Sequence, residues 1–573
     1  MSFFVFFLVG AHASIQVEIK GLSDSQATNV RAYLSIVKVA RRIDDSAASL
    51  SEFTVSRLHG KADSEIKNAL MPFGYYSPQI TPSLENKEGN WIARYEVDKG
   101  LPTLIKEVDV QVEDAVRQKL SLDKLLARTN VKSGQVLNHK SYTELKQALL
   151  RNALAQGYLD ATYSRSELRV APETRAASIH LHLNQGERFF FGPVTLEQDV
   201  LEQSFAERYI AVKAGEPFST EELVNTQFVL SDSGYYEKVA VNAPRDAAVD
   251  QQIPVTVRAE SYKSRRYLAR AGVGTDTGPR LRLGTEFRRL NRRGAKFRSD
   301  IQVSNITSTA TAQFSFPIKN VATDRQTFSG SFDRAEIGDT DSDLYSLGAR
   351  RYDRWKGLGR QLYLEFENEL FSLDGVDDIR SELLILGGSL AYQKVDDAIF
   401  TRRGVTARLD IHGAYEGLLT DTSFLQASLA TRAILPLGDK ARLLMRADVG
   451  FTEVDNLASL PPSQRFFTGG DRTVRGYGFE QLSPEDADGR DVGGRYLLAA
   501  SIEADYFFND KYGAAVFFDH GNAVNSLQDA LKSSVGVGFR LRTPVGVLRI
   551  DGARPFDQSE DSFRIHVSLG PDT

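Results

Sequence analysis

Residues 465–483 read RFFTGGDRTVRGYGFEQLS, and this stretch decides how the rest of the chain is understood. Glycines at 469, 470, 476 and 478, with Pro461 and Pro462 just ahead, exclude a strand interior or a helix. Segments of period-two alternation flank it, at 442–451 and 496–507. It is therefore a long loop inside a β-domain, and long ordered loops tend to carry function. Its charges are mixed: Asp471, Arg472, Arg475 and Glu480. Its core is Val474-Arg475-Gly476-Tyr477. The plain alternatives are a flexible hairpin loop or a glycine-rich anion-binding loop. A phosphate loop needs GxxxxGK[ST] running from a strand into a helix, and no helical pattern follows here.

Outward from the loop, the chain after about residue 263 reads as alternating strands cut by turn residues. In 361–370, Leu362, Leu364, Phe366 and Leu370 oppose Tyr363, Glu365, Glu367 and Glu369. In 442–451, Leu443, Met445, Ala447, Val449 and Phe451 oppose Arg442, Arg446 and Asp448. Next, Tyr496, Leu498, Ile502 and Tyr506 oppose Glu503 and Asp505. A soluble sandwich alternates too. Segments of about 9–13 residues, against roughly 5–6 for soluble strands, point instead to a membrane-spanning barrel. Some sixteen strands are expected, with starts near Arg266, Lys296, Leu344, Leu358, Ala441 and Tyr496 among them, and the last near Ser562. A barrel of that size encloses a watery lumen, and the glycine-rich loop is the candidate plug. Arg475 carried into the lumen needs a carboxylate. The following strands offer Glu503 and Asp519.

Composition bounds the alternatives. The chain has 573 residues, so several domains are expected. Hydrophobic residues make up 42%, and no apolar run reaches the length of a membrane helix. The net charge of −5 suggests no nucleic-acid partner. With no cysteine there is neither a disulfide framework nor a cysteine metal site. His180-x-His182 shares one strand face but has no third ligand near it in sequence, so no metal is expected there. No GxSxG, HExxH or phosphate-loop motif occurs, and neither catalysis nor a cofactor is expected. Residues 1–13 read as a secretory signal peptide: an apolar core at 3–9, then Ala11-His12-Ala13, leaving Ser14 first in the mature chain.

The first 260 residues repeat. Helical patterns end at Gly74-Tyr75, Gly157-Tyr158 and Gly234-Tyr235. The glycine spacings are 157 − 74 = 83 and 234 − 157 = 77, a period that signals a domain array. Val131-Lys132-Ser133-Gly134-Gln135 matches Val212-Lys213-Ala214-Gly215-Glu216. Each is followed by a capping box, Ser141-x-x-Glu144 and Ser219-x-x-Glu222. Period-two strands then follow each Gly-Tyr. Each repeat is expected to be β-α-α-β-β, with free sheet edges to which an unfolded chain could add a strand.

The Val474–Tyr477 core resembles the (V/I)RG(Y/F) motif in the sixth extracellular loop of the Omp85 superfamily. Phe517-Phe518-Asp519-His520-Gly521 resembles that family's F-x-D-x-G strand. Gly536-Val537-Gly538-Phe539-Arg540, with Thr543-Pro544-Val545-Gly546, Asp551 and Pro555, is similar to its C-terminal signature. The repeats resemble its POTRA domains. The resemblance implies α+β POTRA repeats followed by an all-β barrel of about 16 antiparallel strands. The expected limits are 14–99, 100–186 and 187–262 for the repeats and 263–573 for the barrel. It implies a bacterial outer-membrane location with the repeats in the periplasm. It also implies a loop–barrel lock of Arg475, Gly476 and Tyr477 with Asp519, and less directly Glu503.

Three repeats and sixteen strands resemble the TamA branch. That branch implies insertion or translocation of autotransporters and other unfolded outer-membrane clients. Its implied partners are the surrounding lipid and a TamB-like inner-membrane-anchored protein. A two-partner-secretion export pore is the alternative. The last strand ends at Gly570-Pro571, and proline cannot extend a ladder. A weakly paired seam is therefore expected between Ala269, Gly272 and Gly274 on the first strand and Val567, Leu569 and Gly570 on the last. Such a seam would serve as a lateral gate.

Overall fold

The computed structural model describes residues 15–44, 51–87, 90–112, 122–274, 278–337, 339–373, 378–417, 419–557 and 563–570. The expected signal segment lies outside them. The chain divides into two compact units. One comprises Met1–Thr195, Val212–Asn225 and Val241–Thr256; the other Leu196–Ala211, Thr226–Ala240 and Val257–Thr573.

Three small sheets come first, all with one topology. Asn90–Asp98 lies between Ile15–Lys20 and Gln79–Lys87. Ala176–Asn184 lies between Leu104–Gln111 and Thr162–Ala171, and Gln252–Ser261 between Phe190–Glu197 and Tyr236–Asn242. In each of the first two, the opening strand runs parallel to the central one. The alternation read from the sequence is the core side of these sheets. Trp91, Ala93, Tyr95 and Val97 are buried against Val55, Leu58, Ala62 and Ile66, which recur at helical spacing along Glu52–Leu70.

Two local details differ from expectation. The first repeat has three helices rather than two. Leu34 adopts an extended conformation that breaks its leading helical segment into Asp24–Tyr33 and Ser35–Asp44. Glu65 makes the break tenable: its carboxylate accepts from the Ser35 amide at 2.8 Å, satisfying an orphan donor at the new helix start. In the second repeat the helix begins two residues before Ser141. Its cap is Asn138, whose side chain accepts from the Lys140 amide at 2.9 Å. The Ser219 cap forms as read, accepting from the Glu222 amide at 3.3 Å.

The Gly-Tyr sites are joints. Gly74, Gly157 and Gly234 have φ of 87°, 93° and 75°, a conformation only glycine takes cheaply. The Gly74 carbonyl accepts from the amide of Thr103 (2.8 Å), and that of Gly157 from Phe189 (2.8 Å). Each helix end is thus stitched to the first residues of the next repeat. At the third site the tyrosine does the work. Tyr235 is buried and its hydroxyl donates to the Gly294 carbonyl at 2.6 Å, in the turn between the second and third barrel strands. Lys296 lies over the same ring and donates to the Ser233 carbonyl at 2.5 Å.

The remainder is one sheet of sixteen strands in chain order, each antiparallel to the next, from Arg265–Gly274 to Arg564–Gly570. Of the starts named above, all lie within four residues of an observed one, Leu344 being furthest, from Thr340. The two faces of the wall are inverted relative to a soluble protein. Leu362 and Leu364 are 48% and 46% exposed, whereas Glu365, Glu367 and Glu369 on the same strand are buried. A soluble sandwich would hide the leucines. Aliphatic side chains facing out and carboxylates facing in are what lipid outside and a polar lumen inside require. The first and last strands approach each other, but among the described residues no ladder joins them.

Candidate functional site

The loop sits between the eleventh strand, Ala441–Val454, and the twelfth, Tyr496–Phe507. It has a small framework of its own. Thr468 and Leu482 exchange backbone hydrogen bonds of 3.0 and 2.9 Å, and Val474, Tyr477 and Leu482 pack into a buried cluster. Gly469 takes φ of 104°, and a β-carbon there would strike the Gly478 carbonyl, so the turn needs glycine.

This framework delivers Arg475 into a cage of carboxylates. Asp519, on the thirteenth strand Tyr512–Val524, accepts the Arg475 Nε at 2.8 Å through Oδ2 and the Nη2 at 2.9 Å through Oδ1. It also accepts the Arg475 backbone amide at 3.0 Å. Glu503 accepts Nη1 at 2.7 Å and Asp551 accepts the same nitrogen at 3.0 Å. The guanidinium lies 3.4 Å over the Phe517 ring. Arg475 is 4% exposed and Asp519 fully buried. The bidentate fork, the stacked ring and the saturated donors are features only arginine supplies together.

Three carboxylates around one guanidinium would leave excess negative charge. Arg540, on the fourteenth strand Lys532–Thr543, offsets it. Its Nη2 donates to Glu503 at 2.7 Å and its Nη1 to Asp551 at 2.5 Å. The two glycines before it make the room. Gly536 is directly opposite Phe517, and Gly538 directly opposite Asp551. A β-carbon at Gly536 would overlap the Phe517 ring, and one at Gly538 the Asp551 carboxylate. The G-x-G-x-R pattern is thus the imprint of the cage on one strand.

Gly476 and Tyr477 extend the contact to the end of the barrel. The Gly476 amide donates to His566 Nε2 at 2.9 Å, and His566 lies on the last strand. The Tyr477 hydroxyl donates to Asp557. The loop therefore touches all five strands from the twelfth to the sixteenth. Its leading end grips the opposite wall: Gln464 donates to Glu367 at 2.9 Å, and Ser463 to Glu369.

Of the five residues expected in the loop–barrel contact, the structure brings Arg475 together with Asp519 and Glu503, while Gly476 and Tyr477 bond His566 and Asp557. Asp551, Arg540, Ser501 and His566 belong to the same assembly and were not singled out as contacts from sequence. Lumen-facing alternation, Ser501 with Glu503 and Phe517 with Asp519, carried that information. The residues named for the seam fall on the two edge strands. Among the described residues, Ala269, Gly272 and Gly274 lie in the ladder to the second strand, opposite Leu283, Arg280 and Gly278. Val567, Leu569 and Gly570 lie in the ladder to the fifteenth strand, opposite Ile550, Leu548 and Val547. The last ladder holds just seven residue pairs.

A sixteen-strand barrel with an arginine-bearing loop folded into it, following small α+β modules in the chain, defines an outer-membrane β-barrel protein with an N-terminal domain array. The Omp85 superfamily domain matches residues 258–572, more than half of the chain, and the POTRA domain TamA domain 1 matches residues 16–99. The chain belongs to the Omp85 superfamily, as an outer-membrane protein whose N-terminal domains lie in the periplasm.

It is 30% identical over 162 residues to the outer membrane protein assembly factor BamA of Nitratidesulfovibrio vulgaris; that stretch is 26% of this chain and 20% of the relative. The chain thus spans about a fifth of the length of this relative. The structure of BamA from Haemophilus ducreyi lacking POTRA domains 1–3 superposes with a TM-score of 0.59 at 15% identity. That superposition covers 81% of this chain and 98% of the other, a likeness of fold. CdiB from Escherichia coli covers 91% and 100% at 13% identity, with a TM-score of 0.45.

Proposed function

We propose that this chain is an outer-membrane insertase that helps autotransporters and other β-barrel proteins fold, insert or cross. The observation that carries this reading is the pair of barrel edges, 265–274 and 564–570, with no ladder between them among the described residues. An incoming strand can add to a sheet edge by β-augmentation, and the apolar outer wall lets that strand pass sideways into lipid. Arg475 and its partners hold the loop so that the lumen side of this seam keeps its shape.

The periplasmic sheets supply the reception step. Gln79–Lys87 and Thr162–Ala171 are edge strands that pair on one side only among the described residues. An extended client can add to such an edge through its backbone, largely regardless of its sequence. The first repeat, farthest in sequence from the barrel, is the dock assigned to a TamB-like inner-membrane-anchored partner. Driving energy comes from client folding or from that partner.

Ala269→Cys paired with Val567→Cys tests the reading, in a chain with no native cysteine to interfere. Locking the seam should stop client assembly while the barrel stays folded, and reduction should restore it. Assembly that continues with the seam locked sinks the lateral route. It would favour export through the lumen, for which the loop would have to leave.

A further inference from the structure

The second repeat carries a cluster that the barrel chemistry does not use. Its central strand buries Ile179, Leu181 and Leu183 on the helix side, which turns His180 and His182 to the opposite face. Parallel pairing with Leu104–Gln111 then sets Asp109 beside His180 and Gln111 beside His182. The third ligand missing from the His-x-His sequence therefore arrives from the neighbouring strand, some 70 residues upstream by register.

The geometry is compact. His182 Nε2 is 2.6 Å from Asp109 Oδ2, and His180 Nδ1 is 3.5 Å from the same oxygen. One ligand atom from each of the three residues lies within 4.8 Å of the others. His180 is only 8% exposed, yet its Nδ1 makes no hydrogen bond. A buried ring nitrogen left in that state calls for an explanation. Its other nitrogen, Nε2, lies 3.3 Å from Ser178 Oγ. A proton held there leaves the Nδ1 lone pair pointing at Asp109.

Gln111 donates to Asp109 Oδ1 at 3.2 Å, which orients the carboxylate. Two further acids share this face: Glu107 lies beside Ser178, and Glu167 sits opposite His180 but is occupied by Arg165 and Arg169 at 3.1 and 2.9 Å.

We propose that Asp109, His180 and His182 form a binding site for a divalent transition metal of the zinc type. Two imidazoles and one carboxylate suit zinc and its neighbours, whereas calcium and magnesium want all-oxygen shells. Ligand bonds near 2.0–2.1 Å around a tetrahedral ion set ligand atoms about 3.3 Å apart. The His180–Asp109 spacing already fits. The His182–Asp109 spacing, 2.6 Å, opens by about 0.7 Å to reach that separation as the ion takes the place of the proton between them. The Nε2 proton exchanges through solvent to Nδ1, so His182 remains a neutral imidazole that binds through its freed Nε2 lone pair, and nothing is oxidised or reduced. The fourth position is left to water. Ser178 and Gln111 act as the outer hydrogen-bond partners that ligating histidines and carboxylates ordinarily have.

The test uses the full chain in detergent, stripped with a chelator and titrated with Zn²⁺ against a chromogenic competitor. One ion per chain is expected. Asp109→Asn, His180→Ala and His182→Ala should each weaken binding at least about tenfold, and Ser178→Ala about tenfold. Asp109→Asn retains a hydrogen-bonding partner for His182, so its loss of binding does not depend on a folding defect. Substituting Co²⁺ should give visible absorption bands of a tetrahedral site in the parent chain that vanish in the same variants. His59→Ala, on another repeat, should change neither readout. Absence of binding, or an affinity and spectrum that the Asp109 and His180 changes leave intact, overturns the proposal.

Discussion

The Gly476 amide donates a 2.9 Å hydrogen bond to Nε2 of His566, so the loop that fills the barrel holds the last strand from inside. Among the described residues that strand has seven ladder pairs to the fifteenth strand. The loop contact is therefore a sizeable part of what fixes the strand's position. Replacing His566 by leucine keeps the volume and strands the buried Gly476 donor, at a cost of about 1–3 kcal/mol. Cysteine cross-linking between positions 269 and 567 should then change in rate, with the barrel still folded by gel mobility. An unchanged rate would mean that the loop and the seam are not coupled through this bond.

Removing the Arg475 guanidinium leaves Glu503 and Asp551 with Arg540 but takes from Asp519 its bidentate partner. Breaking a buried pair in this way costs about 3–5 kcal/mol. Arg475→Ala should lower the temperature at which the folded band converts to the unfolded one. Adding Asp519→Asn should return part of the loss, because the charge left without a partner is then gone. A full Arg475–Asp519 charge swap is expected to rescue poorly, since the new aspartate would sit against Glu503 and Asp551. Strict additivity of the two single changes in a double-mutant cycle would contradict direct pairing.

What the sequence disclosed follows from physics that acts locally. Alternation at 361–370 and 442–451 is written in the chain because each residue faces either lipid or lumen. The loop core was legible because its glycines exclude helix and strand interior, and because Arg475 carried into a lumen needs a carboxylate on the following strands. Contacts that depend on register were not legible. Asp109 meets His180 only because two strands far apart in sequence pair in parallel, and nothing local encodes the offset. Asn138 displaced Ser141 as a helix cap because both residue types cap well, and tertiary packing chose the start. Leu34 carried no breaker signal, and its partner Glu65 lies a helix away.

Glycine substitutions separate steric need from mere flexibility. A methyl at Gly538 would overlap the Asp551 carboxylate, and its ladder neighbours leave no room to shift. Gly538→Ala is expected to prevent formation of the heat-modifiable barrel or to lower its melting steeply. Gly60 lies exposed within the helix Glu52–Leu70 with nothing within 4 Å of a β-carbon. Gly60→Ala should stabilise the first repeat by about 0.4–1 kcal/mol, by restricting the unfolded chain. Both are read by thermal unfolding of the purified protein; equal effects at the two sites would refute the steric account.

The Tyr235 hydroxyl and the Gly294 carbonyl join the third repeat to a barrel turn, and this joint should be insensitive to pH over a wide range. Burial pushes the Tyr235 phenol above its ordinary value, because the charged form would lose its hydration. Below about pH 10 the phenol is protonated whether the joint is made or broken, so its contribution is flat there. Above that, a freed phenol ionises and a buried one does not, and the joint weakens as pH rises. Tyr235→Phe keeps the ring under Lys296 but leaves the Gly294 carbonyl without its donor, at about 1–3 kcal/mol. Hydrogen-exchange protection of residues 289–295 should fall in this variant by about tenfold or more at neutral pH. In the parent chain protection should hold constant up to about pH 10 and drop beyond it. A variant with parent-like protection would place the strength of the joint in the Lys296 and ring contacts instead.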